Sequence, residues 1–259
     1  MIARFAAAAA FVLVPASAGA SATRPVVALT ASPVRATLVG SARQLIRVAN
    51  AGAEPVVVDV VPAGFALGPR GRPRVLLVGD AARRAAAWLA IRPSRIALGP
   101  GASTNLTLVS KPPRAATPGD HPALVLLTTR ASPLAPVAVR MRIGITVVVR
   151  VPGRTRHGLA LRSLRVRHVA HRRLIELVIA NRGNVVEWLR RGRFEVVLLA
   201  HGRVIARLQS AARELLPRAS GIVQLAYGGD VRGRVTALVV FVPSGRRATT
   251  LRRTFRVWL

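Results

Sequence analysis

The stretch Ile46-Arg-Val-Ala-Asn-Ala-Gly-Ala-Glu-Pro-Val-Val-Val58 places two short aliphatic segments on either side of an Asn-Ala-Gly sequence. β-Branched and aliphatic residues favour extended backbone. Asn and Gly favour a turn, because the Asn side chain bonds nearby backbone and Gly accepts a positive φ. The stretch therefore predicts a strand, a tight turn and a second strand that pairs back on the first.

The same rhythm continues through the first half of the chain, where Gly, Pro or Asn interrupts aliphatic segments roughly every 8–15 residues, as in β-sandwiches. Gly99–Ser103 and Pro118–His121 are predicted to be tight turns. Only Asp80–Leu89 has helix-favouring alanines, and we expect a loop or a single turn there. The predicted strands are Pro25–Ala31, Gln44–Ala49, Pro55–Val61, Arg74–Val78, Ala87–Pro93, Thr104–Ser110, Ala123–Thr129 and Pro136–Val151.

The second half repeats this organisation. Leu174–Ile179 alternates apolar residues with Glu176, as a half-buried strand does. Ala211–Leu216 is predicted to form one helical turn that Pro217 ends. The predicted strands are Ala160–His168, Arg173–Ala180, Phe194–Ala200, Val204–Gln209, Gly221–Tyr227, Arg234–Val242 and Thr249–Leu259.

The best domain boundary is Val151-Pro-Gly-Arg-Thr-Arg-His-Gly158, which combines Pro, two Gly and three basic residues between two apolar segments. After removal of a leader, the remaining length suits two domains. We therefore expect an all-β chain of two β-sandwich domains in tandem, at residues 23–152 and 159–259, with a linker at residues 153–158.

Residues 1–22 have the pattern of a cleaved secretory signal peptide. Arg4 precedes the apolar run Phe5–Val14, and Pro15–Ala22 supplies small residues for cleavage. The run has half the length of about 20 residues that a membrane-spanning helix needs. No later segment is long and apolar enough either, so the mature chain is expected to be secreted or in the cell envelope, without a transmembrane anchor. The expected cleavage sites follow Ala18, Ala20 and Ala22.

The formal net charge is +31, and Lys111 is the single lysine among 40 basic residues. The arginines are spread along both halves, whereas a nucleic-acid groove concentrates them. Aromatic residues are only 4% of the chain, too few for the stacking surfaces that single-stranded nucleic acids require. The composition argues against a nucleic-acid partner and leaves an anionic envelope polymer as an alternative partner.

The sequence offers little for catalysis. It contains no Gly-x-Ser-x-Gly elbow and no phosphate-binding glycine loop. It has no cysteine and only nine acidic residues. Its glutamates are predicted to pair with arginines rather than to form a glycosidase dyad. The chain is therefore interpreted as a non-enzyme, and the glutamates concerned are Glu176, Glu187, Glu195 and Glu214.

No metal or cofactor site is expected. His168 and His171 have a ligand-like spacing, but residues three apart on a strand point to opposite faces, so both could bind one metal only if a turn lay between them. We interpret this segment as a solvated hairpin. Trp88, Trp188 and Trp258 are interpreted as core or inter-domain packing residues.

Several stretches carry a resemblance to known families. In the first half, Ser32–Gly40, Ile46–Val58, Ile91–Ser103 and Thr117–Leu126 resemble the N-terminal immunoglobulin-like domain of bacterial surface and chaperone proteins. In the second half, Val178–Asn184 and Glu214–Ser220 are similar to the second immunoglobulin-like domain of WxL-interacting proteins of Gram-positive surfaces. The resemblance implies two immunoglobulin-like β-sandwich domains in tandem after the cleaved signal peptide.

WxL-interacting proteins usually carry a C-terminal membrane helix with a basic tail, which this sequence does not show before Leu259. Periplasmic pilus chaperones are a more distant resemblance. They hold a subunit's C-terminal carboxylate with two basic residues, and this resemblance implies that Arg35 and Arg142 are partner-binding residues here.

The expected function is a secreted, non-catalytic cell-surface protein that binds another protein, in adhesion or in assembly of surface structures. Strand addition to a free sheet edge is a common way for sandwiches to do this. Two alternatives stay open: a subunit binder like the periplasmic chaperones, and an arginine-mediated binder of anionic envelope polymers.

Overall fold

A computed structural model of the chain describes residues 27–76, 85–130, 140–169, 172–189, 194–242 and 250–259. The predicted signal peptide, residues 1–22, and its cleavage sites lie outside these ranges, as does His171. No helix within the described ranges is long and apolar enough to cross a membrane.

The fold is all-β, with two immunoglobulin-like domains, as expected. Across the described residues the regular structure comprises nineteen strands and one helical turn at residues 85–87. The strands of the first domain are β1 (Leu29–Ser32), β2 (Arg35–Val39), β3 (Ala42–Asn50), β4 (Val56–Leu67), β5 (Pro73–Leu76), β6 (Leu89–Arg92), β7 (Arg95–Leu98), β8 (Ser103–Ser110), β9 (Gly119–Thr129) and β10 (Arg142–Val151). Those of the second domain are β11 (Leu159–Val169), β12 (Arg172–Asn181), β13 (Glu187–Leu189), β14 (Phe194–Ala200), β15 (Arg203–Leu208), β16 (Arg213–Leu215), β17 (Ser220–Tyr227), β18 (Arg234–Phe241) and β19 (Leu251–Trp258).

In the first domain, one sheet has the order β1-β3-β8-β6 and the other has the order β2-β10-β9-β4-β5, with β7 also paired to β4. Alternate residues of both sheets point inward, and they form one apolar core that includes Ile46, Leu106, Leu108, Leu127 and Ile145. These side chains are fully or almost fully buried. The second sheet turns its other face toward the second domain.

Two prolines mark the places where the chain crosses between the sheets of the first domain. Pro33 lies between β1 and β2, and Pro93 lies between β6 and β7, and each follows a cis peptide bond. The predicted strands end at Ala31 and at Pro93, and none of them covers β2 or β7. In fact a second strand begins two residues after each proline, in the opposite sheet.

The second domain contains the sheets β11-β12-β17 and β15-β14-β18-β19 and a short pair, β13-β16. Its core includes Ile175, Leu177, Phe194, Leu198 and Phe241. The predicted alternation of Leu174–Ile179 is confirmed, since Ile175, Leu177 and Ile179 join this core. The helical turn predicted at Ala211–Leu216 is wrong, because Arg213–Leu215 pair with Glu187–Leu189 as a strand.

Each domain contains one buried asparagine that ties its turn to a neighbouring segment. Asn50 Nδ2 donates to the carbonyl oxygens of Glu54 and Leu98, at 2.7 and 3.2 Å, and Gly52 N donates to Asn50 Oδ1. In the second domain, Asn181 Nδ2 donates to the carbonyl oxygens of Val185 and Leu215, at 2.8 and 3.1 Å, and Gly183 N donates to Asn181 Oδ1. A turn with Asn at its first position and Gly at its third therefore occurs in both domains, as Asn50-Ala-Gly52 and as Asn181-Arg-Gly183.

Strands β4 and β9 extend several residues beyond their predicted ends. Strand β4 continues through Pro62. Proline has no N–H to donate, and on the edge of β4 to which that N–H would point, Pro62 lies between the residues that pair with β7 and those that pair with β5, so no hydrogen bond is lost. Strand β9 begins at Gly119, inside the turn predicted at Pro118–His121. Both residues are of types that usually end a strand. Pro62 is accommodated by the gap in strand pairing, and Gly119 is accommodated by its positive φ of 127°.

Candidate binding cleft between the two domains

A small apolar cluster joins the two domains. Ala63 and Phe65 of β4 and Leu124 and Leu126 of β9 pack with Leu216, which follows β16 in the second domain. All five side chains are buried. Because this cluster is separate from the two domain cores, it acts as an interface that sets the position of one domain against the other.

Arg35, at the start of β2, crosses this interface. Its Nη1 lies 2.5 Å from Glu214 Oε2, and its Nη2 lies 2.8 Å from Glu214 Oε1. The guanidinium also lies 4.8 Å from the centre of the Trp188 ring. The side chains of Arg35 and Glu214 are 28% and 14% exposed, so the pair is largely removed from water. A bidentate pair of this kind is among the stronger polar contacts in proteins.

Asp120 forms a second polar connection between the domains. Its buried carboxylate accepts hydrogen bonds from Arg150 Nε at 2.6 Å and from Val186 N, in the second domain, at 2.8 Å. The hydrogen bond to Asp120 raises the pKa of Arg150. Asp120 N also donates to Asn184 O at 2.7 Å. Next to it, a Cβ on Gly119 would lie 2.3 Å from Asn184 O, so only glycine permits this approach.

The tip of the β4–β5 hairpin reaches the second domain as well. Ile222 N of β17 donates to Pro69 O at 2.6 Å. Arg213 Nη2 donates to the same oxygen at 2.5 Å, and burial lowers the pKa of Arg213. Arg70 Nη2 lies 3.5 Å from Glu176 Oε1. Strands β4 and β5 lie at one edge of the sheet β2-β10-β9-β4-β5, and β2 lies at the other edge. The hairpin thus fixes the domain arrangement from the edge opposite to Arg35.

Between these contacts lies a cavity of about 580 Å³. Phe65, Leu67 and Pro73 line it from the first domain, and Trp188 and Gln224 line it from the second. The Arg35–Glu214 pair lies at the edge of this cavity. Glu214 belongs to the cavity wall, and so does Thr146, which pairs with Arg35 in the sheet.

The structure does not bring Arg35 and Arg142 together. Arg35 pairs with Thr146 in the parallel β2–β10 ladder, and Arg142 lies four residues earlier on β10. About 13 Å of strand therefore separates the two positions. Arg142 is exposed, whereas Arg35 is engaged by Glu214. Their predicted role as a shared carboxylate anchor remains a prediction, and a ligand carboxylate would have to compete with Glu214 for Arg35.

The beginning of β10 has a free edge as far as the described residues show. Strand β10 pairs with β9 from Arg142 to Val151, but with β2 only from Thr146 to Arg150. Thr146 N donates outward to Val34 O, so by the alternation of the ladder the N–H of Gly144 points to the same edge. Within the described residues, no strand pairs with this edge at residues 142–145. Sequence reasoning missed it, because edge position depends on strand order.

The predicted pairing of glutamates with arginines is confirmed for three of the four. Glu214 pairs with Arg35, Glu195 pairs with Arg207, and Glu176 pairs with several arginines. Among the described residues, Glu187 pairs with no arginine, and its Oε1 instead lies 2.7 Å from His157 Nδ1. Within the part of the chain described, no cluster of three metal-ligating side chains occurs.

The three tryptophans occupy different environments. Trp88 packs against the first core, and Trp188 lies in the domain interface under Arg35, as predicted. Trp258 is 68% exposed, so its predicted packing role is wrong. It alternates with the inward Val257 at the end of β19 and therefore points outward.

The fold and cleft define a class: a protein of two immunoglobulin-like domains joined across a polar and apolar interface. No protein-family model and no curated protein matches the sequence. Among solved structures, the chain is similar to one from a chaperone–tip adhesin complex of CFA/I fimbriae biogenesis and to the class 5 fimbriae chaperone CfaA. Each similarity has a TM-score of 0.51 and 12% identity, and each covers 88% of this chain and 98% of the other.

These similarities concern the fold alone, at this level of identity. They agree with the expected tandem immunoglobulin-like architecture and with its distant resemblance to pilus chaperones. They give no support to the resemblance to WxL-interacting proteins.

Proposed function

We propose that this chain is an extracytoplasmic, non-catalytic binding protein that holds a subunit of a surface structure, in the manner of a chaperone. The observation that carries the proposal is the free edge of β10 at residues 142–145, on a fold similar to fimbrial chaperones. This favours the chaperone-like alternative over a role as an adhesin.

The free edge is suited to strand addition. An added strand forms backbone hydrogen bonds with unpaired N–H and C=O groups, and alternate side chains fill pockets beside it. Gly144 is exposed, and Ile143 is partly buried against the first core. A bound segment would extend a sheet whose order is already fixed by β9 and β2, so little ordering of this chain is required.

Gly144 allows a matched test, because a Pro there removes an outward N–H that β9 does not use. A Cβ at this position has its nearest neighbour 3.6 Å away, so alanine fits. We expect Gly144→Pro to weaken binding of a subunit encoded beside this gene about tenfold, the effect of losing one hydrogen bond in a desolvated contact. Gly144→Ala should stay within about twofold of wild type.

Binding is measured by co-expression followed by titration of the purified subunit. Wild-type affinity for the Gly144→Pro variant would contradict strand addition at this edge. The carboxylate-anchor role of Arg35 and Arg142 is tested in the same assay. Arg142→Ala is the more informative change, because Arg35→Ala also breaks the domain interface, and Arg43→Ala is an exposed control on β3.

A further inference from the structure

A cavity of about 500 Å³ lies at one end of the second domain, where β11 ends, β12 begins and the segment between β17 and β18 meets the end of β19. Its basic side chains come from three parts of the chain: His168, Arg172 and Arg173, and Arg232. It is distinct from the free edge of β10, which belongs to the first domain. It is also distinct from the cavity between the domains.

Positive charge exceeds negative charge in this cavity. Three guanidinium groups and one imidazole line the same cavity as Asp230, and the excess remains if the carboxyl group of Leu259 is counted. Among the described residues, none of these basic groups forms an ion pair with a carboxylate within 4.0 Å. Elsewhere, Glu176, Glu195 and Glu214 pair with arginines. The cavity is thus a place where basic groups outnumber the acidic groups beside them and, among the described residues, form no close ion pair with them.

The cavity wall is held in place before any ligand arrives. Arg173 Nη1 donates to Val231 O at 2.5 Å, and its guanidinium lies 5.6 Å from the centre of the Tyr227 ring. A Cβ on Gly229 would lie 2.5 Å from the Tyr227 hydroxyl, so the turn needs glycine to pass this close to the ring. Arg173 therefore has a fixed position with further N–H donors to spare.

We infer that this cavity binds a phosphate ester group. A tetrahedral oxyanion offers several acceptor oxygens, and guanidinium groups arriving from different directions match them with charge-assisted hydrogen bonds. The concave, mostly polar wall favours one compact anionic group over a flat apolar surface. Exposed Arg172 and Arg232 form the mouth, and Arg173 forms the fixed wall.

The test is a titration with inorganic phosphate at constant ionic strength, followed by the backbone amide resonances of Gly228, Gly229 and Arg232. Saturable shifts are expected in the wild type. The double variant Arg172→Gln/Arg232→Gln should bind at least about tenfold more weakly. Its fold should persist, because both side chains are exposed. The control Arg43→Gln/Arg92→Gln removes two exposed arginines of the first domain and should bind like the wild type.

Absence of saturable shifts, or equal weakening in both double variants, would overturn the inference and assign the effect to general charge. Two further arms distinguish the source of the phosphate group. If dissolved glycerol phosphate binds the wild type and the control variant but not the Arg172→Gln/Arg232→Gln variant, the ligand is a soluble phosphate ester. If this loss of binding by the Arg172→Gln/Arg232→Gln variant is seen only when the protein is sedimented with phosphatidylglycerol vesicles, the ligand is a lipid headgroup.

Discussion

At the scale of single residues, the buried carboxylates are held by donors from distant parts of the chain. Glu176, on β12, is fully buried, and it accepts hydrogen bonds from Arg165 Nε at 2.9 Å and Gln224 Nε2 at 2.8 Å. Arg70 of the first domain approaches the same group. A buried charge is stable only when several donors share it. Each such residue therefore connects segments that are far apart in sequence.

Glu176 predicts a specific dependence of stability on pH. Burial alone would raise its pKa, but hydrogen bonds from Gln224, Arg165 and Arg167 outweigh burial and lower the pKa from 4.5 to about 2. Because the folded-state pKa lies below the unfolded value, the stabilisation is complete above about pH 4.5 and is lost as the pH falls toward 2. Glu176→Gln should be less stable at pH 7 and should show a shallower loss of stability across this window.

Urea unfolding at a series of pH values measures this effect. Glu54→Gln is the control, since Glu54 is exposed and should leave the pH profile unchanged. Identical profiles for Glu176→Gln and wild type between pH 4.5 and pH 2 would show that Glu176 does not contribute.

At the scale of elements, the two buried asparagines fix the turns on which the strand order depends. Asn181→Ala leaves the carbonyl oxygens of Val185 and Leu215 and the N–H of Gly183 without their partner. Each buried unsatisfied group costs about 1–3 kcal/mol, so the loss of three partners should lower the free energy of unfolding by at least about 3 kcal/mol. Asn50→Ala should act similarly in the first domain.

Chemical denaturation at neutral pH gives this free energy. Asn105 lies in strand β8 but is exposed, so Asn105→Ala should change stability by less than about 0.5 kcal/mol. Equal effects of Asn181→Ala and Asn105→Ala would mean that the buried hydrogen bonds do not stabilise the turn.

Local pattern was sufficient for strands whose inward residues alternate or form an aliphatic run. Leu174–Ile179 and Ile46–Val58 are examples. Patterns of this kind were enough to predict an all-β chain with two domains in tandem. The local sequence pattern did not predict strands whose existence depends on pairing with residues distant in sequence. Arg213–Leu215 becomes a strand only because Glu187–Leu189 lie beside it. Pro62 stays in β4 only because its outer edge has no partner there.

The candidate site was less accessible from sequence for the same reason. Arg35 was singled out only by the resemblance to periplasmic pilus chaperones. Its contact with Glu214, 179 residues away, follows from how the domains pack. Asp120 lay inside a predicted turn, and nothing in Pro118–His121 indicates that its carboxylate would join Arg150 to Val186. An arginine-rich composition also hides individual roles, since each arginine has many equivalents.

At the scale of the whole molecule, the two domains should unfold as one unit. The apolar cluster, the Arg35–Glu214 pair and the Asp120 contacts all span the interface. Leu216→Asp places a charge in the apolar cluster and should cost roughly 2–5 kcal/mol, since it removes a buried leucine and leaves an unpaired carboxylate. We expect the single calorimetric transition of the wild type to separate into two.

Leu45 provides the matched control, because it is 53% exposed on β3 and Leu45→Asp should retain the single transition. An unchanged single transition in Leu216→Asp would show that the interface does not couple the domains.

The contact between Pro69 and Ile222 has a consequence for how this molecule avoids aggregation. Strand β17 is the last strand of its sheet, and the carbonyl of Pro69 occupies the N–H that Ile222 turns outward. An unoccupied edge of this kind is a template on which copies of a chain can stack. The first domain therefore covers this edge at Ile222, and we expect a second domain produced without its neighbour to self-associate along β17.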